Sequence, residues 1–415
     1  MSLTRWLRNL GSIIPHGRAM PYRRKHTLQR RKLFIEQLED RRVLAGWLLT
    51  SSVVGTDPVM DVAQDSAGNT YATGYFAGTM TIGSTTLTSN GAAEDLFIAK
   101  LDPAGKLLWA QRFGGTGRDV GMGLDAGSDG SVYVTGSFYG AMTVGNTTLV
   151  SKGGKDAFVL KFDTNANAVW ARRMGGGDGS VSSNFDDQGS GVTVTNDGSV
   201  YVTGDFRDTA DFGSNNVSSA GGGDQFITKL SDVGTFLWVR QLGGAGDQMA
   251  SDVVTGTAGD VFVVGNIVAG YDAAGNLKWK NEGAASVGGA IYQDALSGKE
   301  FLYTAELYGG SLRKLDAFTG AEVWKRTTGL NDELTYAVAT DADGNAYVVE
   351  AFWSGMAPDF DPGAGTFYVD NLNSNGYNTV LLKLNSAGDF LSARRVVGGT
   401  GGYQFAHDEI GRAHV

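Results

Sequence analysis

Four acidic residues share one position in the chain's pattern, because each lies 14 residues before a tyrosine. They are Asp57, Asp119, Asp187 and Glu333. A ring of carboxylates could hold a cation or a polyol, and a close pair could cleave a glycoside. Alternatively, each carboxylate could accept hydrogen bonds from a backbone turn and fix the connection between two repeats. Because a binding site usually breaks the symmetry of a repeat, the recurrence favours the structural role.

Two further acidic patterns could begin a calcium site. Asp341, Asp343 and Asn345 lie in the sequence DADGN, and Asp359 and Asp361 lie in an inserted segment. Oxygen side chains at alternate positions are the ligands that calcium takes in such loops. The same pattern also makes a hairpin turn in which the aspartate accepts backbone hydrogen bonds, and no glutamate follows at the far end of the loop. The sequence favours turns, and we expect no metal site.

The chain offers few groups for catalysis by a nucleophile and a base. It contains no Cys, which excludes a thiol nucleophile, a thiolate metal site and disulfides. The histidines are His16, His26, His407 and His414, all near the ends, so no Ser–His pair can form in the body. We therefore expect no catalytic residue, no cofactor and no enzymatic activity, and we assign no ligand-binding residue. The alternative is an enzyme with a glycoside-cleaving carboxylate pair or a quinone-type cofactor.

The acidic residues are positioned by a repeat whose clearest marker is a tryptophan. After it come a Gly-Gly turn, an acidic residue, a second turn and a strand such as Tyr-Val-Thr-Gly. Successive tryptophans are 41 to 68 residues apart, and Ser392 takes this position in the last unit. The tryptophans are Trp47, Trp109, Trp170, Trp238, Trp279 and Trp324. One tryptophan in each unit is typical of packing between neighbouring sheets, and a series of sugar-stacking platforms is the alternative.

A repeat of this length that contains only strand-like segments predicts a propeller. In the second unit we predict four strands, at Val120–Ala126, Ser131–Phe138, Ala157–Phe162 and Ala168–Met174. The third strands are almost continuously apolar, as expected when both faces of a sheet are covered. The sequence therefore predicts an all-β fold. It would be a β-propeller with six complete four-stranded blades plus a truncated seventh, preceded by a basic N-terminal tail.

Some units contain an insertion between the second and third strands. These insertions begin at Thr79, Ala141, Thr209 and Ala357, and the fourth and fifth units lack one. We expect extra hairpins at one rim of the propeller.

Charge divides the chain into a basic arm and an acidic body. Residues 1–45 hold 11 Lys or Arg and 3 acids, a net charge of +8; the whole chain carries −10, so residues 46–415 carry −18. The acidic body argues against a nucleic acid partner, and no apolar run is long enough to predict a transmembrane helix. We assign residues 1–45 to a basic export or tail segment, 46–408 to the propeller and 409–415 to a non-native tail. That tail matches no repeat position, and one choice of codons for it reads as a DNA-sequencing adapter.

The repeat resembles the bacterial β-propeller repeat family abbreviated SBBP. The patterns D-x-x-G-N-x-Y-x-T-G and G-G-x-G-x-D carry the resemblance, at Asp65–Gly74, Gly114–Asp119 and Asp341–Val349. The fourth and fifth units instead resemble quinoprotein-type repeats, in GYDAAGNLKWK from Gly270 and RKLDAFTGAEVWK from Arg313. Both resemblances imply a propeller. Neither fixes a function, and the vicinal cysteines of quinone-dependent alcohol dehydrogenases are missing.

The segment before the repeats resembles the LEPR-xLL motif of large exported bacterial surface proteins. Leu38, Glu39, Arg41 and Leu44 carry the match, and Asp40 replaces the usual proline. The resemblance implies export, so we expect an extracellular or cell-surface location.

Together these features predict an exported, non-enzymatic β-propeller that acts as a surface interaction or adhesion module. Its partner would be a protein or a surface glycan, and it would be a monomer or part of a larger chain. A pure structural spacer in a larger surface protein is a third possibility.

Overall fold

The computed structural model describes residues 59–177, 186–283, 285–328, 334–353, 358–369 and 377–397. In these ranges the chain forms 28 strands and no helix, and hence no helix that could cross a membrane. The strands build six antiparallel sheets of one pattern, in which each strand pairs with its neighbour in the sequence or across an insertion. The predicted basic tail, the truncated seventh blade and the tail at 409–415 lie outside the described residues.

The first three sheets contain insertions. The first sheet consists of β1 (Val59–Gln64), β2 (Thr70–Phe76), β5 (Asp95–Leu101) and β6 (Leu107–Phe113), with the separate hairpin β3 (Thr79–Ile82) and β4 (Thr85–Thr88) between β2 and β5. The second consists of β7 (Asp119–Ala126), β8 (Val132–Val144), β9 (Thr147–Phe162) and β10 (Ala168–Gly176). The third consists of β11 (Gln188–Val194), β12 (Val200–Phe206), β15 (Asp224–Leu230) and β16 (Phe236–Leu242), with β13 (Thr209–Phe212) and β14 (Asn215–Ser218) inserted.

The last three sheets are simpler. The fourth consists of β17 (Ala250–Thr255), β18 (Val261–Gly265), β19 (Ile267–Tyr271) and β20 (Leu277–Glu282). The fifth consists of β21 (Ser286–Gln293), β22 (Glu300–Glu306), β23 (Ser311–Asp316) and β24 (Glu322–Thr327). The sixth consists of β25 (Leu334–Thr340), β26 (Ala346–Trp353), β27 (Tyr377–Leu384) and β28 (Phe390–Val397).

The sheets are joined through their first strands. β1, β7, β11, β17, β21 and β25 pack one against the next in this order, so each sheet is a blade that extends outward from a shared inner layer. This arrangement is the six-blade β-propeller that the repeat predicts. Within the described ranges, β25 and β1 do not pack against each other as the other first strands do.

Glycines in the first strands allow neighbouring blades to approach at the backbone. A Cβ atom on Gly123 would stand 2.7 Å from the carbonyl oxygen of Ser190 in the next blade. A Cβ atom on Gly191 would stand 3.0 Å from the Cα atom of Asp252, again in the next blade. Both distances are shorter than ordinary van der Waals contact, so these positions accept no side chain without movement of a neighbouring strand.

Buried threonines hold the second and third strands of the first three blades together. The threonine of each Tyr-x-Thr-Gly segment donates its hydroxyl to a phenylalanine carbonyl of the third strand, at 2.6–2.9 Å. The pairs are Thr73 with Phe97, Thr135 with Phe158 and Thr203 with Phe226. The threonine of the motif is therefore explained by a hydrogen bond that a buried hydroxyl needs.

The insertions extend the sheets in a way that the sequence did not predict. The hairpin of the second blade is continuous with β8 and β9, so β8 runs to Val144 where the sequence predicted an end at Phe138. In the third blade β13 pairs with β10 of the preceding blade, which joins two blades by backbone hydrogen bonds. The predicted hairpin after Ala357 differs, because its described part, 358–369, contains no strand.

Replacing Gly123 by Ala tests the close approach of the first strands. The new methyl group would press on the Ser190 carbonyl, and we expect the free energy of unfolding to fall by about 1–3 kcal/mol. Gly244→Ala is the matched control, because a Cβ there meets nothing within 4 Å, and we expect a change within about 0.5 kcal/mol. Urea denaturation measures both. Equal stabilities for the two variants would contradict the packing described here.

Candidate functional site

Two of the four acids that share the position before the tyrosine lie in the described residues, and both are buried at the connection between two blades. Asp119 accepts a hydrogen bond at Oδ2 from the backbone N–H of Gly115, at 2.6 Å. Asp187 accepts one at Oδ2 from the N–H of Gly176, at 2.8 Å, and one at Oδ1 from the N–H of Arg207, at 2.9 Å. These carboxylates fix the Gly-Gly turn that leads from one blade to the next. Asp57 and Glu333 lie outside the described residues.

A second set of buried aspartates lies beside the first and was missed by the sequence analysis. Asp95, Asp156 and Asp224 each occur two residues before a phenylalanine, in Asp-x-Phe at the start of an apolar run, and this recurrence could have revealed them. Oδ2 of Asp95 accepts from the N–H of Asn90 and from Nη1 of Arg112, both at 2.6 Å.

The other two members of this set are bound in the same way. Oδ2 of Asp156 accepts from the N–H of Lys152 at 3.0 Å and from Nη1 of Arg173 at 2.7 Å. Oδ2 of Asp224 accepts from the N–H of Ala220 at 2.6 Å and from the side-chain amide of Gln241. Each aspartate therefore closes the loop before its strand and ties it to the fourth strand of the same blade.

Burial changes the protonation of these acids. Removal from water raises the pKa of Asp119 to about 7; the Gly115 N–H opposes this rise, and the charge of Asp95 adds to it. Burial likewise raises the pKa of Asp187 to about 8, although the N–H groups of Arg207 and Gly176 lower it. Burial raises the pKa of Asp156 to about 6, against the lowering effect of Arg173. Asp119 and Asp187 thus favour the neutral form more strongly than an exposed aspartate does.

A neutral residue accepts the corresponding hydrogen bond at the connection between the third and fourth blades. Gln248 lies 14 residues before Phe262, which takes the place of the tyrosine. Its Oε1 accepts a hydrogen bond from the N–H of Gly244, at 3.0 Å. Because an amide replaces the carboxylate here, the position needs a hydrogen-bond acceptor and does not need a negative charge. This geometry is that of a structural staple between blades.

The tryptophans of the repeat reach from each blade to the following one. For the five repeat tryptophans that the structure describes, the indole Nε1 donates to the carbonyl at the second position of the turn between the third and fourth strands of the next blade, at 2.8–3.4 Å. The pairs are Trp109 with Thr164, Trp170 with Asp232, Trp238 with Ala273, Trp279 with Ala317 and Trp324 with Ser386. Trp47 lies outside the described residues. The indole N–H groups are therefore engaged within the protein.

The rings of these tryptophans also pack within their own blades. Each lies 5.8–6.1 Å from the aromatic ring of the second strand, measured between centroids, a spacing typical of aromatic pairs. Trp170 and Trp279 are buried, whereas Trp109, Trp238 and Trp324 are half-buried. The rings therefore pack within their own blades, while their N–H groups join each blade to the next.

The possible calcium ligands are occupied by the turns that contain them. Oδ1 of Asp341 accepts from the N–H groups of Asp343 and Asn345 at 3.1 and 2.9 Å, and Oδ2 accepts from Nδ2 of Asn345 and from the Tyr347 hydroxyl. Burial would raise the pKa of Asp341, but the hydrogen bonds from Asn345 lower it below its usual value. Asp65 makes the same set of bonds in the first blade. The position is therefore a repeated hairpin turn.

The second possible calcium segment is also held by its own backbone. Oδ1 of Asp359 accepts from the N–H groups of Asp361 and Phe367, at 3.0 and 2.8 Å. Oδ1 of Asp361 accepts from the N–H of Gly363 at 2.8 Å. In the part of the chain that the structure describes, no three acidic or histidine side chains are placed to hold a metal ion.

A third group of aspartates, on the first strands, was not identified from the sequence. Asp61, Asp125 and Asp252 each accept at Oδ2 from a backbone N–H on the first strand of the next blade, at 2.5–3.0 Å. Their donors are Leu124, Val194 and Gly289. The acids around the inner layer are therefore also used to join blades, and in these bonds they face the neighbouring backbone.

Comparison with known proteins gives one short family match. The family described as Planctomycete extracellular matches residues 29–47, which supports an extracellular location. The regulatory protein FlaEY of Caulobacter vibrioides is 26% identical over 244 residues, which are 55% of this chain and 24% of that protein. An uncharacterized WD repeat-containing protein, L264, of Acanthamoeba polyphaga mimivirus is 32% identical over 118 residues, 27% of this chain and 8% of that protein. The chain thus spans less than a quarter of the length of these curated relatives.

Among solved structures, BamB from Moraxella catarrhalis aligns with 81% of this chain and 97% of its own. The sequence identity is 14% and the TM-score is 0.39.

Removing the carboxylate of Asp119 tests its role as a staple. Asp119→Ala leaves the Gly115 N–H without its acceptor, and we expect the free energy of unfolding to fall by about 1–3 kcal/mol. Asp119→Asn keeps an acceptor oxygen, as Gln248 does, and should lose less. The exposed Asp232→Ala is the control and should change stability by about 0.5 kcal/mol at most. An Asp119→Ala variant as stable as the wild type would show that the bond contributes nothing.

Addition of calcium tests the turn at Asp341. Because its carboxylate oxygens already accept four hydrogen bonds, calcium should leave the midpoint of thermal unfolding unchanged. Asp341→Ala should lower stability by about 1–3 kcal/mol, equally with calcium and with a chelator. Differential scanning calorimetry provides the measurement. A rise of the midpoint with calcium that disappears in Asp341→Ala would instead identify a metal site.

Proposed function

We propose that this chain is an exported, non-enzymatic β-propeller that acts as a rigid interaction or adhesion module at the cell surface. The proposal rests on the contacts made by the side chains that could have formed a catalytic or binding site. Asp119, Asp187, the five described tryptophans of the repeat and the possible calcium ligands Asp341, Asn345, Asp359 and Asp361 make contacts that hold turns or join blades. The match of residues 29–47 to an extracellular family supports the location.

The inserted hairpins are the surface that we assign to binding. In the hairpin of β3 and β4, Met80, Ile82 and Leu87 are buried against the first blade, which holds the hairpin in place. Its outward face carries the exposed Thr86, whose hydroxyl lies 3.2 Å from that of Thr81.

The hairpin of the second blade repeats this arrangement. The hydroxyls of Thr143 and Thr148 are 3.0 Å apart on its exposed face, and Met142, Val144 and Leu149 are buried beneath them. The paired residues of the two hairpins, 79–88 and 141–150, include no charged residue, although residues 46–415 carry a net charge of −18. Rigid blades that carry exposed, uncharged hydroxyl faces suit recognition of a protein or a surface glycan without repulsion between like charges.

The absence of Cys from the sequence allows a direct test of location. Thr86→Cys introduces one exposed thiol, and a membrane-impermeant maleimide should label it on intact cells that produce the chain. Thr135→Cys is the control, because that side chain is fully buried and should react only after unfolding. Labelling of Thr86→Cys only after cell lysis would contradict surface exposure.

Binding can be tested with the purified full chain. Fluorescently labelled protein should bind intact cells, and Thr86→Lys together with Thr148→Lys should reduce binding at least tenfold by placing charges on the hairpin faces. Ala104→Lys, on an exposed turn between the third and fourth strands, should leave binding unchanged. Loss of binding after protease treatment of the cells indicates a protein partner, and loss after periodate oxidation indicates a glycan. Equal binding by all variants would contradict the assignment of the hairpins, and cleavage of the glycan by the wild type would contradict a non-enzymatic role.

A further inference from the structure

The connection between the first and second blades brings two buried aspartates together with one cation. Asp95 and Asp119 are both fully buried and lie on either side of Gly114, where no Cβ atom would fit. Nη1 of Arg112 forms an ion pair with Oδ2 of Asp95, at 2.6 Å. Asp119 receives a backbone N–H group from Gly115. Among the described residues, Oδ1 of each aspartate has no hydrogen-bond partner.

The connection between the second and third blades has the same composition. Asp156 and Asp187 are buried beside Gly175. Arg173 contacts Asp156, whereas Asp187 accepts backbone N–H groups. Oδ1 of Asp156 has no partner within the described residues. Two adjacent buried carboxylates do not both remain ionised at low cost, because their charges repel and little water is present to screen them.

The third connection has only one acid. There the acid opposite Asp224 is replaced by Gln248, and the arginine is replaced by Gln241. A neutral side chain and no cation therefore suffice beside a single buried aspartate, whereas the two connections with a second acid each have an arginine as well.

Glu350 of the sixth blade is a further buried acid between two blades. It is 2% exposed, and both its carboxyl oxygens lie 3.0 Å from Oγ1 of Thr328, which follows the fifth blade. The carbonyl of Gly310 accepts the backbone N–H of Thr328 at 2.9 Å and also lies 3.0 Å from its Oγ1. No charged group acts on Glu350 among the described residues. A buried carboxyl group with one hydroxyl partner and no cation favours the neutral form.

We propose that Asp119, Asp187 and Glu350 each retain a proton in the folded protein at neutral pH. The stability of three connections between blades then depends on pH. The carboxyl O–H of Asp119 donates to Oδ1 of Asp95, that of Asp187 donates to Oδ1 of Asp156, and that of Glu350 donates to Oγ1 of Thr328. When the pH rises, each proton passes to solvent base. The two aspartate pairs are then left with adjacent negative charges, and the contacts between blades weaken.

The electrostatic surroundings agree with this assignment. Burial raises the pKa of Asp119 to about 7, with Asp95 raising it further and Arg112 lowering it. Burial raises the pKa of Asp187 to about 8, and the charges of Asp156 and Asp205 add to the rise.

Asp205, whose charge adds to the rise at Asp187, itself lies near the charged groups of Lys155, Arg207 and Asp186. For Glu350, burial raises the pKa to about 8, Thr328 opposes the rise, and no charged group contributes.

The direction in which stability changes with pH follows from the raised pKa values of the three acids. In the unfolded chain the three acids ionise near pH 4, whereas the folded chain keeps their protons to about pH 7 for Asp119 and about pH 8 for Asp187 and Glu350. Unfolding therefore releases protons between about pH 4 and pH 8. The free energy of unfolding should fall as the pH rises through this window and show no further loss from these groups above it.

Infrared spectroscopy of the folded full chain tests the proposal without any substitution. At pH 7 the wild type should show the C=O band of protonated carboxylic acids, and this band should disappear by about pH 10. Asp119→Asn, Asp187→Asn and Glu350→Gln should each reduce the band and the fall in stability between pH 4 and pH 8, Asp119→Asn by the smallest amount. Asp205, whose pKa burial raises to about 7, contributes a part of the band that these variants keep. Asp129→Asn, at an exposed turn, is the control and should change neither.

Two results would overturn the proposal. One is the absence of an acid band in the wild type at pH 7, which can be recorded even if a variant does not fold. The other is a triple variant that folds and retains both the band and the pH dependence of the wild type.

Discussion

Each inner blade of this propeller is covered on both faces by other blades, and this constraint governs the rest of the structure. A sheet whose third strand is buried along its whole length, as in Ile267–Tyr271 of the fourth blade, cannot be stable alone in water. Its stability depends on how closely and in what register the next sheet is held. The contacts between blades are therefore as important to this fold as the hydrogen bonds within each blade.

Two sets of these contacts run from each blade to the blade that follows it in the sequence. The tryptophan of one blade donates to a turn of the following blade, and Asp61, Asp125 and Asp252 accept from the first strand of the following blade. The hairpin of β13 and β14 acts in the opposite sense, because it pairs with the outer strand of the preceding blade. Arg173 strengthens that pairing by bridging Asp156 and Asp211. Neighbouring blades are thus joined by tryptophans at the turns, by aspartates on the first strands and by the pairing of β13 with β10 at the outer strand.

The structural use of aspartates accounts for part of the acidic composition of the body. Aspartate offers two oxygens on a short side chain, so it can accept several backbone N–H groups at one turn. Where the site is fully buried, as at Asp187, the neutral form is favoured, and where it is half-exposed, as at Asp341, the hydrogen bonds favour the charged form. The same residue type therefore serves two electrostatic environments within one repeat.

Much of this fold follows from local sequence patterns. The bounds of the first and fourth strands of the second unit, the tryptophans and the Asp-x-x-Gly-Asn turns are encoded within a few residues, so the repeat predicts them. Contacts between distant segments were missed, because nothing near β13 in the sequence indicates that it pairs with β10. Gln248 was missed for a chemical reason, since a search for acids overlooks an amide that accepts the same hydrogen bond. The role of Asp95 was overlooked because its partner, Arg112, lies on another strand of the sheet.

The direction of the tryptophan contact has a consequence for how such chains evolve. Each unit carries a donor for the unit that follows and an acceptor for the unit that precedes it. Duplication of one unit by recombination therefore yields a new unit whose contacts match on both sides, without compensating substitutions. The shorter fourth and fifth units keep Trp279 and Trp324, and their indole bonds to Ala317 and Ser386 are intact. Units of different length can thus be combined in one propeller as long as this single donor and its acceptor turn are inherited together.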